Sequence, residues 1–110
     1  MSSITFKFKK ELLVLMTNNY LELKNRITEF TAKLFNKKEE EIVIDFEEYQ
    51  IYQGKRDILV RAETSRKNIN LLNVWSDGIK KIIIDSNLKN LNIGIKTLVT
   101  DSYWQEFDVK

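Results

Sequence analysis

The residue types that most often carry chemistry in proteins are sparse in this chain, which contains no Cys, no His and no Pro. Without Cys and His it cannot form a disulfide, a thiol nucleophile, a Ser-His-Asp triad or one of the common zinc sites. Its three glycines are isolated from one another, so no phosphate-binding loop can be assembled from them. The charged side chains are therefore the candidates to consider.

An acidic stretch precedes and enters one predicted strand. Its members are Glu39, Glu40, Glu41, Asp45, Glu47 and Glu48. Paired carboxylates can perform acid–base catalysis or bind a hard cation such as Mg²⁺. The stretch lacks the glycine and the alternating Asp and Asn ligands of a calcium loop, and a charged turn followed by a solvent-facing strand edge also accounts for it. We expect no metal and no cofactor.

Arg61 is the most informative cation, because it is predicted to lie inside a strand. A guanidinium there needs either solvent or a fixed anionic partner. Arg61 can hold a bound anion, pair with a neighbouring Glu, or lie on an open sheet face. The formal net charge is only +2, from 18 basic and 16 acidic residues, so nucleic acid is not an expected partner.

The length of 110 residues suits one domain, which we expect to span 1–110. Hydrophobic residues make up 43% and charged residues 31%, as is typical of a globular protein. No apolar run approaches the ~20 residues that span a bilayer, and the start MSSITFKFKK lacks the features of a secretory signal. The expected location is cytoplasmic, with no membrane contact.

Hydrophobic periodicity predicts the elements that position these side chains. Alternation predicts strands at Ser3 to Lys9, around Ile42 to Phe46, at Asp57 to Glu63 and at Leu91 to Thr100. A spacing of three and four residues predicts helices over about 11–35 and 66–86. The first stripe is Leu13, Met16, Tyr20, Leu23, Ile27, Phe30 and Leu34, and the second is Ile69, Leu72, Trp75, Ile79 and Ile82.

The predicted order is β-α-β-β-α-β in the α+β class, with a four-stranded sheet and both helices on one face. The second and third strands are close enough in sequence to pair directly. The other face of the sheet would need cover, and a second subunit is the natural source, so we expect a homo-oligomer. A ferredoxin-like sheet is an alternative with the same element order.

This layout resembles the tautomerase superfamily, in particular the branch of macrophage migration inhibitory factor and its bacterial relatives. The resemblance spans nearly the whole chain in element order and length. The residues that carry it are the segments ITFKF, FNKKEEEIVIDF and IYQGK, with the second helix, the strand after it and the aromatic tail. It implies a tautomerase-like fold, a homotrimer and sites located between subunits.

The chemistry of that family depends on an N-terminal proline, exposed by removal of Met, whose secondary amine acts as a general base. Here removal of Met1 would expose Ser2, a primary amine with an ordinary pKa of about 7.7–8.0. Only burial or nearby cations would lower that pKa usefully. We therefore do not expect efficient tautomerase activity. Whether the protein is an enzyme stays open, although the absence of the N-terminal proline argues against it.

The resemblance also implies a pocket for a small carboxylate. Lys37 matches the position of the family's anion-binding lysine, and Tyr103 belongs to a tail whose aromatics line the intersubunit pocket in the family. Ser2 would supply an amine, and Lys37 and Arg61 would hold the anion. Lys37 can instead be a solvated turn residue, and Tyr103 can simply attach the tail to the core.

Two functional hypotheses follow. The first is a trimeric tautomerase-like protein that has lost the proline base and binds, at most, a small carboxylate. The second is a ferredoxin-like interaction module that binds a protein or RNA partner and has no pocket.

Overall fold

A computed structural model of the chain describes residues 2–49, 56–86, 88 and 90–100. Its strands and helices are β1 (Ser2–Phe8), α1 (Leu13–Phe35), β2 (Ile42–Glu48), β3 (Ile58–Ser65), α2 (Leu72–Asp85) and β4 (Ile93–Thr100). The predicted element order is confirmed. Each long helix is preceded by a 3-10 segment, Lys10–Leu12 before α1 and Arg66–Leu71 before α2.

Each helix connects two strands that are parallel neighbours in a sheet of order β2-β1-β3-β4. β1 pairs in parallel with β2, and β3 pairs in parallel with β4. The antiparallel pairing of β1 with β3 joins the two halves into one sheet. In this register Ile4 is paired with Ile44 on one side and with Ala62 on the other.

The predicted direct pairing of the second strand with the third is wrong, because β1 lies between them. A helical crossover returns the chain parallel to the strand that it left, so α1 brings β2 to one side of β1 and leaves the other side to β3. The ferredoxin-like alternative is wrong for a related reason. Its split β-α-β arrangement separates the two strands that a helix connects, whereas β1 and β2 are directly hydrogen-bonded.

Both helices cover the same face of the sheet, as the periodicity predicts. β1 alternates between buried and half-buried positions, and its buried side chains Ile4, Phe6 and Phe8 form one core with residues of both helices. Trp75 and Ile79 of α2 are almost fully buried in that core. Burial of such side chains contributes about 1.5–3 kcal/mol each, which makes this layer the main source of stability.

Three residues of the predicted buried stripes are exposed instead. Leu13 is 45% exposed, Tyr20 is 39% exposed and Ile69 is 50% exposed. Ile69 lies in the 3-10 segment before α2, where the period is three residues per turn. A stripe spaced for an α-helix does not continue through such a segment, so Ile69 turns away from the core.

The second face of the sheet is not covered by any element that the structure describes, and we call it the open face. Its residues are Ser3, Thr5, Lys7, Val43, Asp45, Glu47, Leu59, Arg61, Glu63, Ser65, Gly94, Lys96, Leu98 and Thr100. Val43 is 38% exposed and Leu98 is 48% exposed. The predicted cover by a second subunit stays a prediction.

Candidate functional site

Ser2 begins β1 with its side chain on the helix-covered face, where it is almost fully buried. Its hydroxyl lies 3.1 Å from the hydroxyl of Thr64, which also accepts a hydrogen bond of 2.8 Å from the side-chain amide of Asn68. Thr64 and Asn68 are buried as well. The side chain of Ser2 therefore belongs to the core, and only its main-chain nitrogen is left for the predicted role as an amine.

Lys37 lies directly after α1, in the connection that leads into β2. Asn36 ends the helix in the left-handed conformation, with φ 53° and ψ 54°, and the amide of Lys37 donates a hydrogen bond of 2.8 Å to the carbonyl of Ala32. β2 then begins at Ile42, which is paired with Ser2. The structure therefore places Lys37 and Ser2 toward the same end of the sheet.

Arg61 lies in the middle of β3 with its side chain exposed on the open face. It is three residues along the sheet from Ser2, about 10 Å, and on the opposite face. Within one chain the structure does not bring Arg61 together with Ser2 and Lys37. Tyr103 lies outside the described residues, so its predicted role is not addressed. The substrate-binding role of all four residues stays a prediction.

Arg61 instead has a second cation beside it, because it is paired with Lys96 of β4 and with Thr5 of β1. Adjacent strands lie about 5 Å apart, and like charges at paired positions destabilise a sheet. In the part of the chain that the structure describes, neither cation forms a salt bridge or a side-chain hydrogen bond. Neither cation is therefore in direct contact with an acidic side chain among those residues.

A depression with a volume of about 240 Å³ opens around these two cations. It is lined by Ser3, Thr5, Arg61, Ala62, Glu63, Lys96 and Leu98. Hydroxyls and an exposed leucine therefore accompany the charged groups. All of these side chains except that of Ala62 belong to the open face.

The register divides the depression into two rows. Thr5, Arg61 and Lys96 form what we call the cationic row, and Ser3, Glu63 and Leu98 form the acidic row. The rows are two residues apart along each strand, or about 7 Å. A carboxylate over the cationic row would remove the repulsion between Arg61 and Lys96, and a guanidinium can donate two parallel hydrogen bonds to it. The geometry is suited to binding a small anion.

Sequence reasoning singled out Arg61 but missed the residues that surround it. Lys96 is distant in sequence, and its place beside Arg61 depends on the parallel pairing of β3 with β4. Ser3 and Thr5 carried no signal beyond their place in an alternating strand. The alternation alone predicts that they lie on the face away from the core, but it does not predict which residues lie beside them.

Among the described residues, no group of three or more Asp and Glu side chains is arranged to hold a metal ion. None of the helices in that part of the chain is long and apolar enough to cross a membrane.

No protein-family model matches the chain, and no curated protein matches it. Solved structures do share its fold. A macrophage migration inhibitory factor-like protein from Entamoeba histolytica is 11% identical, with a TM-score of 0.66 over 97% of this chain and 93% of that one. A 5-carboxymethyl-2-hydroxymuconate isomerase from Deinococcus radiodurans is 9% identical, with a TM-score of 0.59 over 97% of this chain and 90% of that one.

A third neighbour is a domain of unknown function from Sebaldella termitidis, 9% identical, with a TM-score of 0.55 over 96% of both chains. These neighbours have tautomerase-superfamily folds. The chain is therefore an α+β protein with the tautomerase-like, macrophage migration inhibitory factor-like fold, and that prediction is confirmed. At these identities the likeness concerns the fold alone.

Proposed function

We propose that this protein is a cytoplasmic homotrimer that binds a small carboxylate at its subunit interface and lacks efficient proline-dependent tautomerase activity. In the proposed site Lys37 and Arg61 hold the anion, Ser2 supplies an amine, and Tyr103 lines the pocket. The resemblance to the tautomerase superfamily supports the oligomer. The absence of any proline supports the loss of the family's activity.

The observation that carries the proposal is the placement of two cations, which have no ion-pair partner among the described residues, on a sheet face that no described element covers. Arg61 and Lys96 lie side by side there, and exposed apolar side chains nearby favour contact with another surface. The main-chain nitrogen of Ser2 lies three residues, or about 10 Å, along the sheet from Arg61. A site at a subunit interface would bring the two groups together by taking them from different chains.

Solution mass tests the oligomer most directly. Size-exclusion chromatography with light scattering should give three chains of 13.1 kDa each, about 39 kDa in total. A monomer would overturn the proposal, because the interface site would not exist.

Carboxylate binding can be tested with pyruvate and a double variant. Lys37→Ala with Arg61→Ala should abolish the pyruvate binding that calorimetry detects for the unaltered protein. Lys33→Ala with Lys80→Ala removes the same charge from two exposed helix positions and serves as the control. Equal pyruvate binding by the Lys37 and Arg61 variant and by the unaltered protein would contradict the proposed site.

The loss of tautomerase activity can be tested with a keto–enol assay. The protein should not accelerate the reaction above the rate in buffer, because a primary amine with an ordinary pKa is mostly protonated at neutral pH. Acceleration that disappears when the N-terminal amine is acetylated would contradict this part of the proposal. Mapping of the N-terminus by mass spectrometry will show which residue carries that amine.

A further inference from the structure

We propose that the depression on the open face binds the carboxylate of a small amino carboxylate through Arg61 and Lys96, and that Glu63 selects for the ammonium group at the ligand's other end. The inference rests on the proposed function in one respect, since both assign Arg61 to a carboxylate. It adds a second cation and a specificity residue that the resemblance does not supply.

The cationic row provides the carboxylate subsite. Arg61 offers a planar fork of N–H donors, and Lys96 at the paired position offers an ammonium group. Thr5 is the neighbour of Arg61 on the other side and adds a hydroxyl donor. A carboxylate in this position would be contacted from three strands and would screen the two cations from each other.

The acidic row provides the second subsite. Glu63 lies on the same strand as Arg61, two residues further along, and its side chain is exposed on the same face. Within the described residues Glu63 has no ion-pair partner. A dianion such as phosphate would be repelled by Glu63. A ligand whose ammonium group lies about 5 Å from its carboxylate would contact both rows, because the long side chains of Arg61 and Glu63 span the rest of the roughly 7 Å between the rows.

The residues that line the depression in one chain already supply both cations and Glu63. In the proposed trimer a neighbouring subunit would cover the open face and close the depression. The ligand would then lie at the subunit interface, as the proposed function requires.

The experiment is a pair of NMR titrations, with 4-aminobutyrate and with butyrate, which lacks only the amino group. The unaltered protein should bind 4-aminobutyrate about threefold more tightly than butyrate, as expected for one exposed ion pair. Lys96→Ala should weaken both ligands about tenfold. Glu63→Gln should remove the preference for 4-aminobutyrate and leave butyrate binding intact.

Lys7→Ala is the matched control, because it removes one positive charge from the same face outside the lining of the depression. It should leave both affinities unchanged. Binding of neither ligand by the unaltered protein, or an unchanged affinity in Lys96→Ala, would overturn the inference. An unchanged preference in Glu63→Gln would overturn the role of Glu63.

The same titrations separate this inference from the proposed function. If Lys37→Ala rather than Lys96→Ala weakens butyrate, the carboxylate lies at the Ser2 end of the sheet and the inference is wrong. If Lys96→Ala weakens butyrate in a protein that proves monomeric, the inference stands and the proposed trimer fails.

Discussion

The indole of Trp75 is the largest fully buried side chain described in this protein, and one hydrogen bond satisfies its N–H. The indole nitrogen donates to the hydroxyl of Thr31 at 3.0 Å, which joins α2 to α1 inside the core. Thr31 is itself fully buried. The hydroxyl of Thr31 therefore supplies a hydrogen-bond acceptor for the indole N–H at a buried position that water does not easily reach.

Thr31→Val tests this contact, because valine has nearly the same shape and no acceptor. The variant leaves the indole N–H buried without a partner, so the free energy of unfolding should fall by about 1–3 kcal/mol in urea titrations. Thr28→Val makes the same change at a half-buried position of α1 and should alter stability by less than about 0.5 kcal/mol. Equal effects of the two variants would show that the hydrogen bond is not the cause.

Asp57 connects three segments where β1 ends and β3 and β4 begin. One carboxylate oxygen accepts a hydrogen bond of 2.8 Å from the backbone amide of Asn92, and the other lies 2.8 Å from the ammonium group of Lys9. The Asn92 amide, followed by Lys9, holds the pKa of Asp57 below its usual value. The folded state therefore favours the ionised carboxylate.

This pKa predicts a loss of stability in acid. The contribution of Asp57 is present above the ordinary Asp pKa of about 3.9, and it is lost as the pH falls through the lower pKa of the folded state. Urea titrations between pH 7 and about pH 3 should show that this carboxylate contributes a decrease of up to roughly 1 kcal/mol in the free energy of unfolding. Asp57→Asn should lack that part of the decrease. Asp77→Asn, at an exposed position of α2, should keep the decrease.

At the scale of the elements, the crossing of α1 and α2 depends on Gly78. A Cβ at this position would collide with the ring of Phe30 on α1. Glycine inside a helix is about 1 kcal/mol less favourable than alanine. It fits at position 78 because the ring of Phe30 occupies the space that a methyl group would need.

Gly78→Ala should therefore destabilise the protein, although alanine is the better helix former. Overpacking costs typically 1–3 kcal/mol, so the net loss in the free energy of unfolding should be about 1 kcal/mol. Phe30→Leu makes room for the added methyl group. Gly78→Ala should therefore cost less stability in a Phe30→Leu background than in the unaltered protein. A more stable single variant would contradict the close packing seen at this crossing.

At the scale of the whole molecule, the open face is the surface that a neighbouring subunit of the proposed trimer would cover. If a second chain covers it, a charge placed at Leu98 should disrupt the contact. We expect Leu98→Arg to lower the mass measured by light scattering while the circular dichroism spectrum stays unchanged. Ile84→Arg is the control, since Ile84 is exposed to a similar degree on a helix (46% against 48%), and its mass should not change.

Much of the fold could be predicted from the sequence because it depends on local periodicity. The alternation of Ile4, Phe6 and Phe8 assigns them to one face of a strand, and the spacing of Leu23 and Ile27 assigns them to one stripe of a helix. Both patterns are properties of consecutive residues. They determined the element order and the placement of both helices on one face.

Only the tertiary structure decided which strands are neighbours. Periodicity tells which face a side chain occupies but not which residue is beside it, since register depends on the crossovers and on the packing of the shared core. For that reason Arg61 was predicted from the sequence, whereas its pairing with Lys96 and its separation from Ser2 were not. The sequence by itself determined the two layers, and the parallel pairing of β3 with β4 created the candidate site.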